Sequence, residues 1–167
     1  MSMKLIGVAG AKGVGKDTFY NVLKARLKPV QRVGTSDCIL ADCSALPGLE
    51  GATKEQARRV YQAYGEAAKD LQGNYYWFDR MKPVLDAMDP DKTTIVTGLR
   101  YPFEAEWIRD QGGKVVLITK PGPADEDHIS EQKWGEIKAD YTIENFSSLR
   151  HYAEAVVETW GVINATQ

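Results

Sequence analysis

The chain has 167 residues, 43% of them hydrophobic, with 21 Lys and Arg against 23 Asp and Glu. That is enough for one well-filled core and scarcely two, so a single domain is expected, and a net charge of −2 leaves no positive field to hold duplex nucleic acid or an anionic membrane. No apolar stretch approaches membrane-spanning length, no cleavable leader is visible, and Cys38 and Cys43 lack the second pair or nearby His of a zinc site, so a cytoplasmic protein with reduced thiols is expected.

The first apolar run, Leu5 to Ala9, leads directly into Gly10-Ala11-Lys12-Gly13-Val14-Gly15-Lys16-Asp17-Thr18 and then into a helical pattern. Glycines let successive amides converge on an anion, a helix start adds its positive dipole end, and Lys16 can reach a terminal phosphate. The expected ligand is a nucleoside triphosphate, ATP, bound by residues 10 to 18. Asp17 stands where Ser or Thr would normally offer magnesium a hydroxyl, and Thr18 follows it. Asp17 and Thr18 are therefore the metal candidates, with simple helix capping as the alternative for Asp17.

The helix behind the loop is predicted from about Asp17 to Leu27, ended by Pro29. Further strands are predicted at Val30 to Gly34, Thr93 to Thr97, Val115 to Thr119 and Tyr141 to Ile143. Runs that are apolar throughout, alternating with helices, predict a parallel sheet covered on both faces: an α/β three-layer sandwich with five parallel strands.

Asp37 follows the second strand at the carboxyl edge of the sheet, where it either orients the attacking group or holds magnesium, or else caps a short helix over Ile39 to Ser44. About sixty residues then separate the second and third strands, far more than a crossover needs, so a helical insert is predicted at about 46–90. Thr53 and Gln56 form a capping box for its long helix, in which Val60, Tyr61, Tyr64, Ala67, Ala68 and Leu71 keep helical spacing until Gly73. A second helical piece carries Trp77 and Met81, with Pro83 restarting the chain.

Arg100, just past the third strand, is placed beside the phosphate loop, where its guanidinium clamps a phosphate or instead pairs with Glu104. A lid-like loop is expected at about 120–138, with His128 as a catalytic or a structural histidine, and with Lys133 and Lys138 either on phosphate or in solvent. The last helix, after Ser147 or Ser148, turns Leu149, Tyr152, Val156, Val157 and Trp160 inward. Trp107, Trp134 and Trp160 suit core or contact surface equally, which leaves a homodimer open.

Together these pieces resemble the deoxynucleoside monophosphate kinases found mainly in tailed bacteriophages, within the P-loop nucleoside-monophosphate kinases. The resemblance rests on Gly15-Lys16-Asp17-Thr18, on Arg58, Gln62 and Gly65 followed by Trp77, and on Arg100, Tyr101, Glu104 and Ala105. It rests also on the Asp-His-x-Ser-Glu segment from Asp127 to Glu131 and on Asp140-Tyr141-Thr142-Ile143-Glu144-Asn145, so it spans nearly the whole chain. Gly98 and Phe103 depart from it, standing where the family usually has Asp and Asn.

The resemblance implies a P-loop kinase fold, ATP and Mg2+, and transfer of the γ-phosphate to a deoxynucleoside monophosphate, with no nucleic-acid or membrane partner. Lys16, Arg100 and Asp37 would be catalytic. Asp37, Arg58, Lys69, Tyr76, Trp77, Arg100, Glu104, His128 and Glu131 would contact the acceptor, and Asn145 would flank the adenine of ATP. Packing within the insert is the alternative for Tyr75, Tyr76 and Trp77.

Overall fold

A computed structural model describes residues 4–27, 29–122 and 133–166. The elements run β1 (Leu5–Ala9), α1 (Lys16–Arg26), β2 (Val30–Gly34), α2 (Asp37–Cys43), α3 (Lys54–Gln72), α4 (Tyr76–Asp86), β3 (Thr93–Leu99), α5 (Pro102–Asp110), β4 (Lys114–Thr119), β5 (Tyr141–Glu144) and α6 (Leu149–Ala165). Two compact units result: residues 34–87, and the rest of the described chain.

In the larger unit the strands lie in the order β2-β3-β1-β4-β5, with β1 parallel to both β3 and β4, and β4 parallel to β5. Strand alternation sorts the side chains onto two faces. Ile6, Val8, Ile95, Val116, Ile118 and Ile143 join Phe19 and Leu23 of α1 and Tyr152, Val156 and Ile163 of α6 in one buried cluster. The other face is covered by α5, which packs on β1 and β4 and buries Ile108 completely. A five-stranded parallel sheet between two helical layers is the architecture expected.

Three details differ from the sequence reading. Strand β3 runs on to Leu99 across a bulge: Val8 faces Thr97 and Ala9 faces Leu99, leaving Gly98 as the extra residue at φ 92°. That left-handed backbone favours glycine. Leu149 is 68% exposed, because α6 begins at the Ser148 cap with its first turn facing solvent, and the buried side starts at Tyr152. In the smaller unit Pro83 lies inside α4 rather than breaking it. Its missing N–H removes one bond of the helical ladder, to the Asp79 carbonyl, and burial of Trp77, Phe78, Met81 and Leu85 on the same helix offsets that cost.

Helix α3 has the expected capping box, Thr53 Oγ1 accepting from the Gln56 amide at 3.2 Å and Gln56 Oε1 from the Thr53 amide at 2.8 Å. Its apolar spacing marks the inner face only in part, with Tyr61 and Ala68 half-buried. Val60, Tyr64 and Leu71 are 37%, 38% and 82% exposed, whereas Gly65 is the buried residue.

Candidate active site

The phosphate loop leaves β1 through Gly10, at φ 141°, where a β-carbon would stand 2.3 Å from the Ile118 carbonyl oxygen. Only glycine fits there. Lys16 opens α1, and its Nζ donates to the carbonyls of Gly10 and Ala11, each at 2.7 Å, so the ammonium is held inside the loop. Two residues far along the chain grip the loop from behind. Asn145 Nδ2 donates to the Val14 carbonyl at 2.8 Å, while the Asn145 amide bonds Thr119 at 2.7 Å. The Tyr152 hydroxyl donates to the Gly15 carbonyl at 2.8 Å, and that oxygen also accepts the Phe19 amide at 2.9 Å. Within a planar peptide the carbonyl points opposite to the next N–H. Drawing these two carbonyls toward Asn145 and Tyr152 therefore turns the Gly15 and Lys16 amides the other way, as an anion cradle requires. Burial pushes the Tyr152 phenol well above its usual range, which keeps it a donor.

Tyr152 was predicted only as a core residue and Asn145 only as a neighbour of adenine. The structure gives both a loop-bracing role. The spacing of Tyr152 with Val156 signals burial but not the destination of the hydroxyl.

Asp17 lies in the first turn of α1 with its side chain 83% exposed, and Arg32 stands 3.9 Å away. No group of three or more His, Cys, Asp or Glu side chains among the described residues could hold a metal alone. Magnesium does not need one, because it retains waters and takes phosphate oxygens beside one or two protein ligands. An exposed carboxylate at the loop, with the Thr18 hydroxyl next to it, fits that requirement.

Arg100 follows β3 directly. Glu104, 8% exposed, accepts the amides of both Arg100 and Tyr101, the latter at 3.0 Å, through one carboxylate oxygen. It thus joins Arg100 through the main chain, closing the turn into α5 and fixing where the arginine leaves the sheet. Tyr101 and Phe103 stack at 5.3 Å beside it.

In the smaller unit, Asp37 opens α2 and its Oδ2 accepts the Gly34 amide at 2.7 Å. Arg58 forks onto Glu55 at 2.7 and 3.1 Å. Lys69, its side chain 10% exposed, is 3.0 Å from Glu66. Trp77 is buried, with Nε1 donating to the Gly65 carbonyl at 3.0 Å and the Tyr76 ring edge-on at 4.8 Å. Sequence reading overlooked Arg80 and Asp42. The Arg80 guanidinium binds the Asp42 carboxylate with both terminal nitrogens and lies 5.9 and 5.8 Å over the Tyr76 and Trp77 rings, while Tyr64 donates to Asp42 at 3.1 Å. Hydrogen bonding to Arg80 holds the Asp42 carboxyl below the usual carboxylate range. The one available signal was the helical spacing of Arg80 from Tyr76 and Trp77.

His128 and Glu131 lie outside the described residues, as does most of the expected lid-like loop. Lys133 is paired with Glu136 at 2.7 Å, and the Lys138 carbonyl accepts from Arg109.

The deoxynucleotide monophosphate kinase family model matches residues 50–156. The protein named "Putative deoxynucleotide monophosphate kinase" of Acanthamoeba polyphaga mimivirus is 27% identical over 99% of this chain and 99% of its own. An Ictalurid herpesvirus 1 protein, uncharacterized protein ORF77, is 26% identical over 90% of this chain and 68% of its own. Among solved structures, dephospho-CoA kinase from Campylobacter jejuni aligns with a TM-score of 0.60 at 17% identity, covering 98% of both chains. Shikimate kinase from Aquifex aeolicus aligns at 0.56 and 17% identity, covering 97% of this chain and 98% of that one. At such identity the solved structures speak for the fold alone.

Proposed function

The chain belongs to the deoxynucleotide monophosphate kinase family, and from that premise we propose that it moves the γ-phosphate of ATP onto the phosphate of a deoxynucleoside 5′-monophosphate, releasing ADP and a deoxynucleoside diphosphate. The observation that carries the reading is the braced loop: Asn145 and Tyr152 hold two of its carbonyls back, and Lys16 sits inside it.

In the reaction an oxygen of the acceptor phosphate attacks the γ-phosphorus in line as the bond to the β,γ-bridging oxygen breaks. The protein's task is alignment and neutralisation of charge, with little covalent work. Loop amides and Lys16 take the β- and γ-phosphate oxygens. Arg100, anchored through its amide to Glu104, offers a planar clamp for charge developing on the transferred group. Magnesium, when bound by Asp17 and Thr18 together with the phosphates, supplies further neutralisation. Arg58 and Lys69 hold the acceptor phosphate, Tyr76 lies near its sugar or base, and Asp37 orients it. Residues 46–90 act as the acceptor-holding insert of a single kinase domain.

An ADP-release assay over the four deoxynucleoside monophosphates, ribonucleotides, dephospho-coenzyme A and shikimate tests the reading. Turnover is expected with at least one deoxynucleotide and with neither dephospho-coenzyme A nor shikimate. Turnover with either of these two alone overturns it. Lys16→Ala is expected to abolish turnover with the far-ultraviolet spectrum unchanged, and near-wild-type rates would remove the loop from the chemistry.

A further inference from the structure

A cavity of about 440 Å³ opens at the amino ends of the first three strands, walled by Lys4 ahead of β1, Leu27 ahead of β2 and Asp91 ahead of β3, with Trp160, Gly161 and Asn164 of α6 forming the remaining wall. All of these residues belong to the larger unit. The strand β1 spans five residues, about 17 Å, and the phosphate loop leaves its far end, so the cavity is separate from the loop. Its volume suits a small organic molecule, and apolar and aromatic walls with a few polar groups are what such sites are made of. Leu27 and Trp160 are half-buried and pack against the core. Lys4 and Asp91 carry opposite charges, and neither side chain has a hydrogen bond or ion pair among the described residues. Asn164 Nδ2 donates to the Trp160 carbonyl at 3.0 Å, which leaves its Oδ1 as an acceptor, and the Trp160 indole N–H donates to no described residue. The one buried side-chain nitrogen or oxygen without a partner among the described residues is Gln62 Nε2, so both of these atoms are open to solvent. Gly161 is an independent sign. It lies inside α6, where only proline is a poorer helix former, yet a β-carbon there would meet nothing within 4 Å. Close packing within the chain does not account for it, and the room it leaves belongs to the cavity.

We propose that this cavity is a second ligand site, which takes an uncharged nucleoside in preference to a nucleotide. The proposal stands apart from the kinase reading, since no residue of the phosphate loop or the insert lines the cavity. The indole of Trp160 offers a flat surface on which a heteroaromatic base stacks whatever its identity. A nucleoside carries donors and acceptors on its base edge and its sugar. The cavity matches them with two acceptors, the Asp91 carboxylate and Asn164 Oδ1, and two donors, the Lys4 ammonium and the Trp160 indole. The charges of Lys4 and Asp91 sum to zero, so the cavity exerts no net pull on an anion, and a phosphate admitted beside Asp91 is repelled. Gly161 keeps the helix surface flat beside the ring, which gives a planar ligand room to lie along it.

The test follows the indole N–H signals of the whole chain in proton–nitrogen correlation spectra during titration with thymidine and 2′-deoxyadenosine, with dTMP and L-phenylalanine as contrasts. The Trp160 signal is assigned by its disappearance in Trp160→Phe. Both nucleosides should move it saturably, and dTMP should need at least tenfold higher concentration for the same movement. Gly161→Leu fills the cavity and should weaken nucleoside binding at least tenfold, with turnover unchanged and a melting temperature no lower than wild type, because leucine favours the helix. Asp91→Lys should reverse the preference and admit dTMP at least as well as thymidine. A Trp160 signal that neither nucleoside moves overturns the proposal, as does a movement undiminished in Gly161→Leu, which would come from binding elsewhere. Equal responses to dTMP and thymidine, or a response to L-phenylalanine alone, overturn it too. If Gly161→Leu does not fold, Asp91→Lys decides, and an unaltered preference in that variant is the refuting result. The readout does not use turnover, so failure of the kinase reading and failure of this one are told apart.

Discussion

Tyr152→Phe isolates the brace behind the phosphate loop, because the ring stays and only the hydroxyl to Gly15 is lost. The Gly15 oxygen would not be orphaned, since the Phe19 amide also reaches it at 2.9 Å. The cost is therefore that of one neutral hydrogen bond, about 0.5–1.5 kcal/mol, and not the roughly 1–3 kcal/mol of a buried group left unpaired. For a chain of this size that is a fall in melting temperature of about 2–5 °C. The loop is what the hydroxyl holds, so KM for ATP should rise by up to about tenfold while kcat is largely kept. Tyr152→Ala deletes in addition a ring that is 2% exposed in the cluster with Phe19 and Val156, and should cost about 3–5 kcal/mol. Urea unfolding monitored by tryptophan fluorescence, paired with ATP titrations of the rate, measures both variants. The reasoning is refuted if the phenylalanine variant loses as much stability as the alanine variant, or if it loses stability with KM for ATP untouched.

Arg100→Ala should lower kcat by about 10²–10³ with the fold intact, as removal of a transition-state donor does, and an unaltered rate would confine the arginine to a structural role. Gly98→Asp, which restores the residue the family usually has, should destabilise by about 1–3 kcal/mol because the bulge holds φ at 92°, and a stability equal to wild type in thermal melts would contradict that. The folded-state pKa of Asp42 is lowered, so its pair with Arg80 contributes stability above the unfolded value of about 3.9, and this is lost as pH falls through the folded value. The urea midpoint should therefore drop between pH 5 and pH 3 in the wild type and more shallowly in Asp42→Asn, and parallel curves would show that the pair carries no linkage.

Backbone-level features were readable because their signals are local. Glycine spacing announced the loop, the Thr53 and Gln56 pair announced the start of α3, and the apolar runs of β1, β3 and β4 announced the buried strands at the centre of the sheet. Side-chain destinations were not, since they depend on partners distant in sequence. Glu104 reads equally well as an acceptor contact or an ion-pair partner, and only the bulge at Gly98 and the turn after it bring two amides onto its carboxylate. The inward face of α3 was legible only in part, because it mixes half-buried Tyr61 and Ala68 with Gly65 and polar residues, while Val60 and Leu71 of the same spacing are exposed. Nothing in the order of residues says that Arg80 will find Asp42 on another helix.

The brace also bears on folding. The side chains that set the Val14 and Gly15 peptide planes stand 131 and 137 positions away, at Asn145 and Tyr152. Closing a loop of that length costs entropy that only the assembled sheet repays, so a partly folded chain holds every glycine of the loop without its shape, and any anion the loop takes would favour the state in which β5 and α6 have docked.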